Sequence, residues 1–221
     1  MCEVLEYMIY TSLAVDALMG MIFDLSSSDG SYSPLVSLLF YVTSCCIQIY
    51  GGNVYRIWMW LLAIASLLIL VIYILGSLKF TNVDSYAMNL GADRGYFVGG
   101  MTSFLNILPL PYWFFVGIES LAFACGDLEH PKTIYKGWIP CMLTLFCTSI
   151  FVVIVTSSLP PGLFSLSLAS VPLNAGFALM FNCKETLLAA LSIPATYATA
   201  FGFMYSYGRL LKFLSLSNMV K

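Results

Sequence analysis

Residues 57–75 of this chain contain no charged side chain and consist mainly of leucine, isoleucine and other apolar residues. A transmembrane helix needs about 20 predominantly apolar residues, because each residue rises about 1.5 Å and the hydrocarbon layer is about 30 Å thick. The stretch therefore predicts a membrane-spanning helix that faces lipid.

The composition of the whole chain agrees with this prediction. Of its 221 residues, 60% are hydrophobic and only 9% are charged, whereas soluble domains have about 25% charged residues. A soluble protein of this size needs more ionisable groups to cover its surface. The formal net charge is −2, so no basic surface indicates a nucleic-acid partner.

Five further stretches are long and apolar enough to cross a bilayer. The sequence therefore predicts an all-α integral membrane protein of about six transmembrane helices, with residues 1–221 as a single transmembrane domain. The predicted spans are residues 4–23, 34–50, 57–75, 97–125, 138–159 and 187–207. The sixth span contains Pro194, and the connection before it is long enough to include a short helix at the membrane surface.

Cysteine and histidine usage argues against a metal centre and against an enzyme. The seven cysteines form no CxxC pair and have no histidine at ligand spacing. The single histidine, His130, lies in a polar loop beside Pro131. Because no nucleophile with an adjacent base can be assembled from these residues, we predict no metal, no cofactor and no enzymatic activity.

The predicted fourth span differs from a plain lipid-facing helix. Pro109 and Pro111 each remove a backbone donor and disfavour helix in the residue before them, and Gly117 lowers helix propensity shortly afterwards. Glu119 follows at membrane depth. An ionised carboxylate there costs at least a few kcal/mol unless it faces a partner, a polar cavity or a proton.

Two interpretations of this span stay open. Many transporters build their substrate site on a discontinuous helix, since broken backbone inside a membrane is tolerated where it lines a cavity or is buried in protein. An unwound segment would offer carbonyl groups to a cationic amine, and the next half-helix would offer N–H groups to a carboxylate. The alternative is a structural helix with a proline kink and a packed glutamate.

The run Trp113-Phe-Phe-Val-Gly-Ile-Glu119, followed by Asp127-Leu-Glu-His-Pro-Lys132, resembles the amino acid–polyamine–organocation (APC) superfamily of permeases. That superfamily has an aromatic-rich sixth helix with a Gly-x-Glu motif, then an acidic residue and an Asn/Asp-Pro-Lys/Arg turn. This chain departs from the pattern with His130 before the proline. The run Leu110-Pro-Tyr-Trp-Phe-Phe is most similar to ethanolamine permeases, and the Trp-x-x-x-Gly-x-Glu spacing also resembles arginine/agmatine antiporters.

The resemblance implies a set of functional residues in the fourth span. In the family, an aromatic side chain covers the bound substrate, carbonyls of an unwound segment bind its amine, and an acidic position is implicated in proton coupling or gating. The acidic position is matched by Glu119, and a tryptophan face attracts an ammonium group by about 0.5–2 kcal/mol. The implied substrate-binding residues are Trp113, Phe114, Phe115, Val116, Gly117 and Ile118.

The resemblance also implies a fold and a function. The fold is the leucine-transporter type, built of two inverted repeats, of which this chain would cover family helices three to eight. The function is secondary active transport of an amino acid, a polyamine or an ethanolamine-like amine in a multi-pass membrane protein, with the proton as candidate coupling ion and the plasma membrane as expected location. The alternative is a truncated, non-transporting paralogue that acts as a scaffold, sensor or partner subunit.

Other positions are weaker candidates. Asp16 lies deep in the first span, where the cost of a carboxylate makes it a candidate to face a cavity or a partner such as Asn106. Tyr197 and Tyr205 of the last span either line the site or pack against neighbouring helices, and packing is the more common role of such aromatic residues. The oligomeric state and the transported amine are left open by the sequence.

Overall fold

The computed structural model describes residues 2–26, 30–87, 100–123, 133–160, 162, 166, 171–183 and 185–217. Within these residues the regular secondary structure is entirely helical, as the sequence predicts. Turns of 3₁₀ helix cover Leu78–Phe80, Leu110–Phe115 and Ala189–Ser192, and a π-helical turn covers Val83–Ala87. The α-helices, numbered α1 to α9 in chain order, are Cys2–Ser26, Ser33–Tyr50, Gly52–Ser77, Gly100–Ile107, Ser120–Phe123, Tyr135–Ser157, Asn174–Phe181, Glu185–Leu188 and Ile193–Leu216.

Five segments of the described chain are long and apolar enough to cross a membrane. They are Cys2–Ser26, Ser33–Tyr50, Gly52–Phe80, Gly100–Phe123 and Tyr135–Ser157. These segments coincide with the first five predicted spans, of which residues 97–99 and 124–125 lie outside the described residues. The predicted sixth span is not among the five, so its insertion in the membrane stays a prediction.

The last helix begins later than the sequence pattern predicts. Residues 187–207 include the end of α8, a 3₁₀ turn at Ala189–Ser192 and only the first part of α9. Pro194 lies in the first turn of α9, where its missing N–H has no intrahelical acceptor and its fixed φ suits a helix start. The proline that we expected inside a span therefore begins a helix.

The chain divides into two compact units, Met1–Ile69 with Lys184–Lys221, and Leu70–Cys183. In the first unit, α1 buries one face at helical spacing, with Thr11, Val15 and Leu18 each less than 4% exposed. This face belongs to a core with Phe40 of α2 and Met204 of α9. The prediction of a single transmembrane domain stays a prediction.

Aromatic rings and one amide bond complete the first unit. The ring of Tyr197 lies 5.0 Å from that of Phe40, and the ring of Tyr205 lies 5.3 Å from that of Tyr55. The side-chain amide of Gln48 donates to the carbonyl of Phe201 at 3.2 Å. Both candidate tyrosines thus pack against other aromatic side chains, while Asp16 lies on the exposed face of α1.

The second unit is organised around Tyr73, near the end of α3, which is fully buried. Its hydroxyl lies 3.0 Å from the Oγ1 of Thr156 in α6, and its ring lies 5.1 Å from that of Phe177 in α7. A Cβ on Gly176 would collide with this ring and would lie 3.0 Å from Leu159 Cδ1. The short helix that we expected in the connection after the fifth span, α7, therefore packs closely against Tyr73 of α3 and against Leu159, which follows α6.

Candidate functional site

The fourth span is discontinuous, as the first of the two interpretations requires. Its first part is α4, which is followed by a 3₁₀ turn at Leu110–Phe115 and by α5. Between the last two, Val116 has an extended backbone, with φ −60° and ψ 134°, and Gly117 has φ 93°. A positive φ of this size is open to glycine at little cost and strains other residues, so the break is fixed at Gly117.

The backbone hydrogen bonds change at the same point. Leu108 still donates to a carbonyl four residues earlier, as in an α-helix, at 3.0 Å. From Tyr112 onward the backbone bonds join residues three apart, including Val116 N–H to the carbonyl of Trp113 at 3.4 Å and Ile118 N–H to that of Phe115 at 3.3 Å. These bonds are long for N–H···O contacts, so the α-helical ladder is replaced by weaker turns.

The N–H groups at the start of α5 are engaged within the chain. Ser120, Leu121 and Ala122 donate to the carbonyls three residues earlier at 3.0, 3.2 and 2.9 Å. We expected such groups to be open to a substrate carboxylate. In this conformation they already have acceptors, the carbonyls of Gly117, Ile118 and Glu119, so they are not open donors for a ligand.

Three of the predicted site residues face α6. Phe115 and Ile118 line a groove of about 710 Å³ together with Met142 and Phe146 of α6. Phe114 lines a separate cavity of about 580 Å³, whose other walls include Val152 of α6. The segment 114–118 is therefore placed against α6 through its aromatic and isoleucine side chains.

The other predicted residues line neither of these two spaces. Trp113 is 57% exposed, and Glu119 is also exposed, while Val116 and Gly117 are half-buried. Glu119 follows the break by two residues, so its carboxylate belongs to the same short stretch of irregular backbone. The structure keeps these residues together along the chain but does not enclose them in one cavity.

The α6 residues opposite this segment were not anticipated from the sequence. The fifth span was predicted as an ordinary apolar helix, yet Leu145, Thr148, Ser149, Val152 and Thr156 are all half-buried and line the cavity beside Phe114. Their spacing of three and four residues places them on one face of the helix. Hydroxyl residues recurring at this spacing within an apolar span were the signal available in the sequence.

The chemistry of the site is that of a binding surface. Among the described residues, no group of three or more histidine, cysteine or acidic side chains is arranged to hold a metal ion. Carbonyl oxygens of an interrupted helix, a tryptophan face and one carboxylate attract cations through partial or full negative charge. A small ammonium ion is therefore the kind of ligand that this stretch can bind.

Comparison with known proteins gives one result. A family model described as "Amino acid permease" matches residues 4–221. No curated protein matches the chain significantly, and no solved structure does.

Proposed function

Because this chain belongs to the amino acid permease family, we propose that it moves an amino acid or a related small amine across the membrane by secondary active transport. The family consists of transporters and not of enzymes. Membership also indicates an integral membrane protein that acts on an amino acid or amine. The choice among amino acids, polyamines and ethanolamine, and the proton as coupling ion, are part of our proposal.

The break at Val116 and Gly117 is the observation that carries this proposal. It lies within Gly100–Phe123, a segment apolar enough to span a membrane. The carbonyls of Trp113 and Phe115 accept only long backbone bonds, of 3.4 and 3.3 Å. A weakly satisfied carbonyl at membrane depth favours a cationic partner, since no water replaces the lost helical bond. We assign amine binding to Trp113, Phe114, Phe115, Val116, Gly117 and Ile118, with the carbonyls of the segment as acceptors.

We assign Glu119 to proton coupling or gating. Its carboxylate stands next to the amine-binding segment in the chain and carries the only formal charge between Gly100 and Phe123. A group that gains and loses a proton beside the substrate couples proton movement to substrate movement, because its protonation changes the charge next to the bound substrate. Loss of this group should then affect coupling more than substrate recognition.

The test is uptake of radiolabelled amines into proteoliposomes that contain the purified chain. The substrates are a panel of amino acids, putrescine and ethanolamine, each measured with and without an inward proton gradient. Trp113→Ala removes a cation–π contact of about 0.5–2 kcal/mol and should lower uptake at subsaturating substrate by roughly 2- to 30-fold. Trp60→Ala, which removes a 64% exposed tryptophan from α3, is the matched control and should leave uptake unchanged.

Glu119→Gln separates coupling from binding. We expect accumulation driven by the proton gradient to be lost, while exchange of labelled for unlabelled substrate persists. Glu3→Gln, at an exposed position in the first turn of α1, controls for loss of a negative charge. Unchanged transport in both Trp113→Ala and Glu119→Gln would reject the assigned site, and no uptake of any amine by the folded wild-type chain would favour the scaffold, sensor or partner-subunit role.

A further inference from the structure

The cavity beside Phe114 is formed mainly by one face of α6. Leu145, Thr148 and Val152 lie along this face, and Leu70 of α3 forms part of another wall. The opposite face of α6 is open, with Ile150 and Ile154 41% and 52% exposed. The cavity is thus a concave strip along one face of a helix whose opposite face is exposed.

The hydroxyl groups in this strip are already hydrogen-bonded. Thr148, Ser149 and Ser157 donate to carbonyl oxygens of α6 at 2.7, 3.0 and 3.1 Å. The Oγ1 of Thr156 pairs with the hydroxyl of Tyr73 at 3.0 Å. A serine or threonine that bonds its own helix in this way presents mainly carbon to its surroundings, so the cavity is apolar despite its composition.

The cavity does not suit the amine of the transported substrate. None of the described residues that line it is charged. An ammonium group placed there would lose its hydration without gaining a partner, which is strongly unfavourable. Its volume of about 580 Å³ lies within the range of sites that hold a ligand of drug-like size, about 300–1,000 Å³.

The dimensions of the strip match one leaflet of a bilayer. From Leu145 to Ser157 the helix rises roughly 18 Å at about 1.5 Å per residue, while half of the hydrocarbon layer is about 15 Å thick. These residues lie in the C-terminal half of Tyr135–Ser157, one of the segments able to span a membrane. The strip therefore extends along the direction, and over the depth, of an acyl chain in one leaflet.

We propose that this cavity binds one acyl chain of a bilayer phospholipid, held along α6 and packed against Phe114. The occupant is apolar because the walls are apolar. It is a lipid chain because the strip follows the axis of α6 over the length of one leaflet and is open beside Phe114 and Val153, which are 48% and 49% exposed. This inference does not depend on amine transport. It adds a lipid site next to the broken backbone.

The first test uses the wild-type chain and requires no substitution. The protein is reconstituted with phosphatidylcholine that carries a photoreactive diazirine in its acyl chain, solubilised in mild detergent, freed of loose lipid by gel filtration and then irradiated. We expect peptide mapping to place the label on the Leu145 and Val152 face several-fold more often than on Ile150 and Ile154. Even labelling around α6, or no label on the lined face, would mean that protein or nothing specific covers the cavity and would overturn the proposal.

The second test fills the cavity. Val152→Trp places an indole in the strip, and Ile154→Trp adds the same group on the open face of α6. Wild type and Ile154→Trp should retain about one phosphatidylcholine per chain after the detergent wash, and Val152→Trp several-fold less, as measured by mass spectrometry. Equal retention by all three would contradict the proposal, and if Val152→Trp does not fold, the wild-type labelling pattern still decides.

Discussion

The third and fourth spans are both apolar and both largely exposed, but only the third is a continuous helix. α3 runs from Gly52 to Ser77 without a break, whereas Gly100–Phe123 consists of two α-helices joined by a 3₁₀ turn and a turn at Gly117. α3 contains no proline, and the fourth span contains Pro109 and Pro111. Composition therefore selects the segments that are long and apolar enough to cross a membrane, and a few backbone-altering residues decide whether the helix continues.

The two spans also differ in how tertiary contacts hold them. α3 buries Tyr73 and Ser77 completely, while none of the described side chains of the fourth span is buried. The shape of the fourth span is thus set chiefly by its own backbone preferences. We expect substitutions in α3 to act on stability, and those in the fourth span to act on transport.

The largest effect on stability should come from a proline placed in α3, which would interrupt it in the way that the fourth span is interrupted. Ile64 lies in the middle of α3 and is 51% exposed. Ile64→Pro removes a helical hydrogen bond and introduces a clash that costs about 3 kcal/mol or more. Thermal unfolding in detergent and the monomeric fraction on gel filtration should both fall sharply, whereas Ile64→Ala should stay close to wild type; equal behaviour of the two would show that α3 tolerates interruption.

The second prediction removes the glycine at the break. Gly117→Ala places a Cβ at φ 93° and should cost about 2 kcal/mol of backbone strain, with uptake reduced by at least roughly tenfold since the amine-binding carbonyls are displaced. Gly20→Ala in α1 is the control, because a Cβ there has no atom within 4 Å and should stabilise its helix by about 0.5–1 kcal/mol. Wild-type uptake by Gly117→Ala would disprove the role of the turn.

The third prediction concerns the packing that holds the end of α3. Gly176→Ala forces a Cβ against the buried ring of Tyr73 and within 2.9 Å of its hydroxyl, so we expect a loss of about 1.5 kcal/mol. Gly76→Ala meets the terminal methyl of Met180, which can rotate away, and should cost less. Thermal unfolding distinguishes the two variants. A larger loss of stability for Gly76→Ala would contradict the premise that the buried ring of Tyr73 cannot move away while the methyl of Met180 can.

The smallest effect should come from a single hydrogen bond. Tyr73→Phe removes the bond to Thr156 and should lower the free energy of unfolding by about 1 kcal/mol, without changing uptake. A double-mutant cycle with Thr156→Val isolates the pair. Additive losses in that cycle would show that the 3.0 Å contact contributes no coupling energy.

Local rules predicted the break in the fourth span. Pro109, Pro111 and Gly117 act on their own and neighbouring dihedral angles, so their effect can be read without knowing what surrounds them. The positions of the first five spans follow from the length of each apolar stretch, which can also be read without knowing the residues around it.

The cavity on α6 and the helix start at Pro194 could not be predicted in this way. Thr148 and Ser149 satisfy their hydroxyls within α6 whether they face lipid or a cavity. The positions of Phe114, Leu70 and Leu173 make that face concave. Pro194 can kink a helix or begin one, and the preceding 3₁₀ turn decides between the two. The cavity walls depend on contacts between residues far apart in the chain, which a single sequence does not contain.

The packing of α1 against α9 has a consequence for synthesis. Thr196 approaches the sulfur of Met21 at 3.8 Å across a separation of 175 residues. At about 5–20 residues per second, α1 leaves the ribosome roughly 10–35 s before its partner exists. Acyl tails are as apolar as leucine, so lipid can cover the apolar face of α1 until α9 is made, without the aggregation that exposure to water would cause. A helix that is synthesised early can therefore pair with one that is synthesised late.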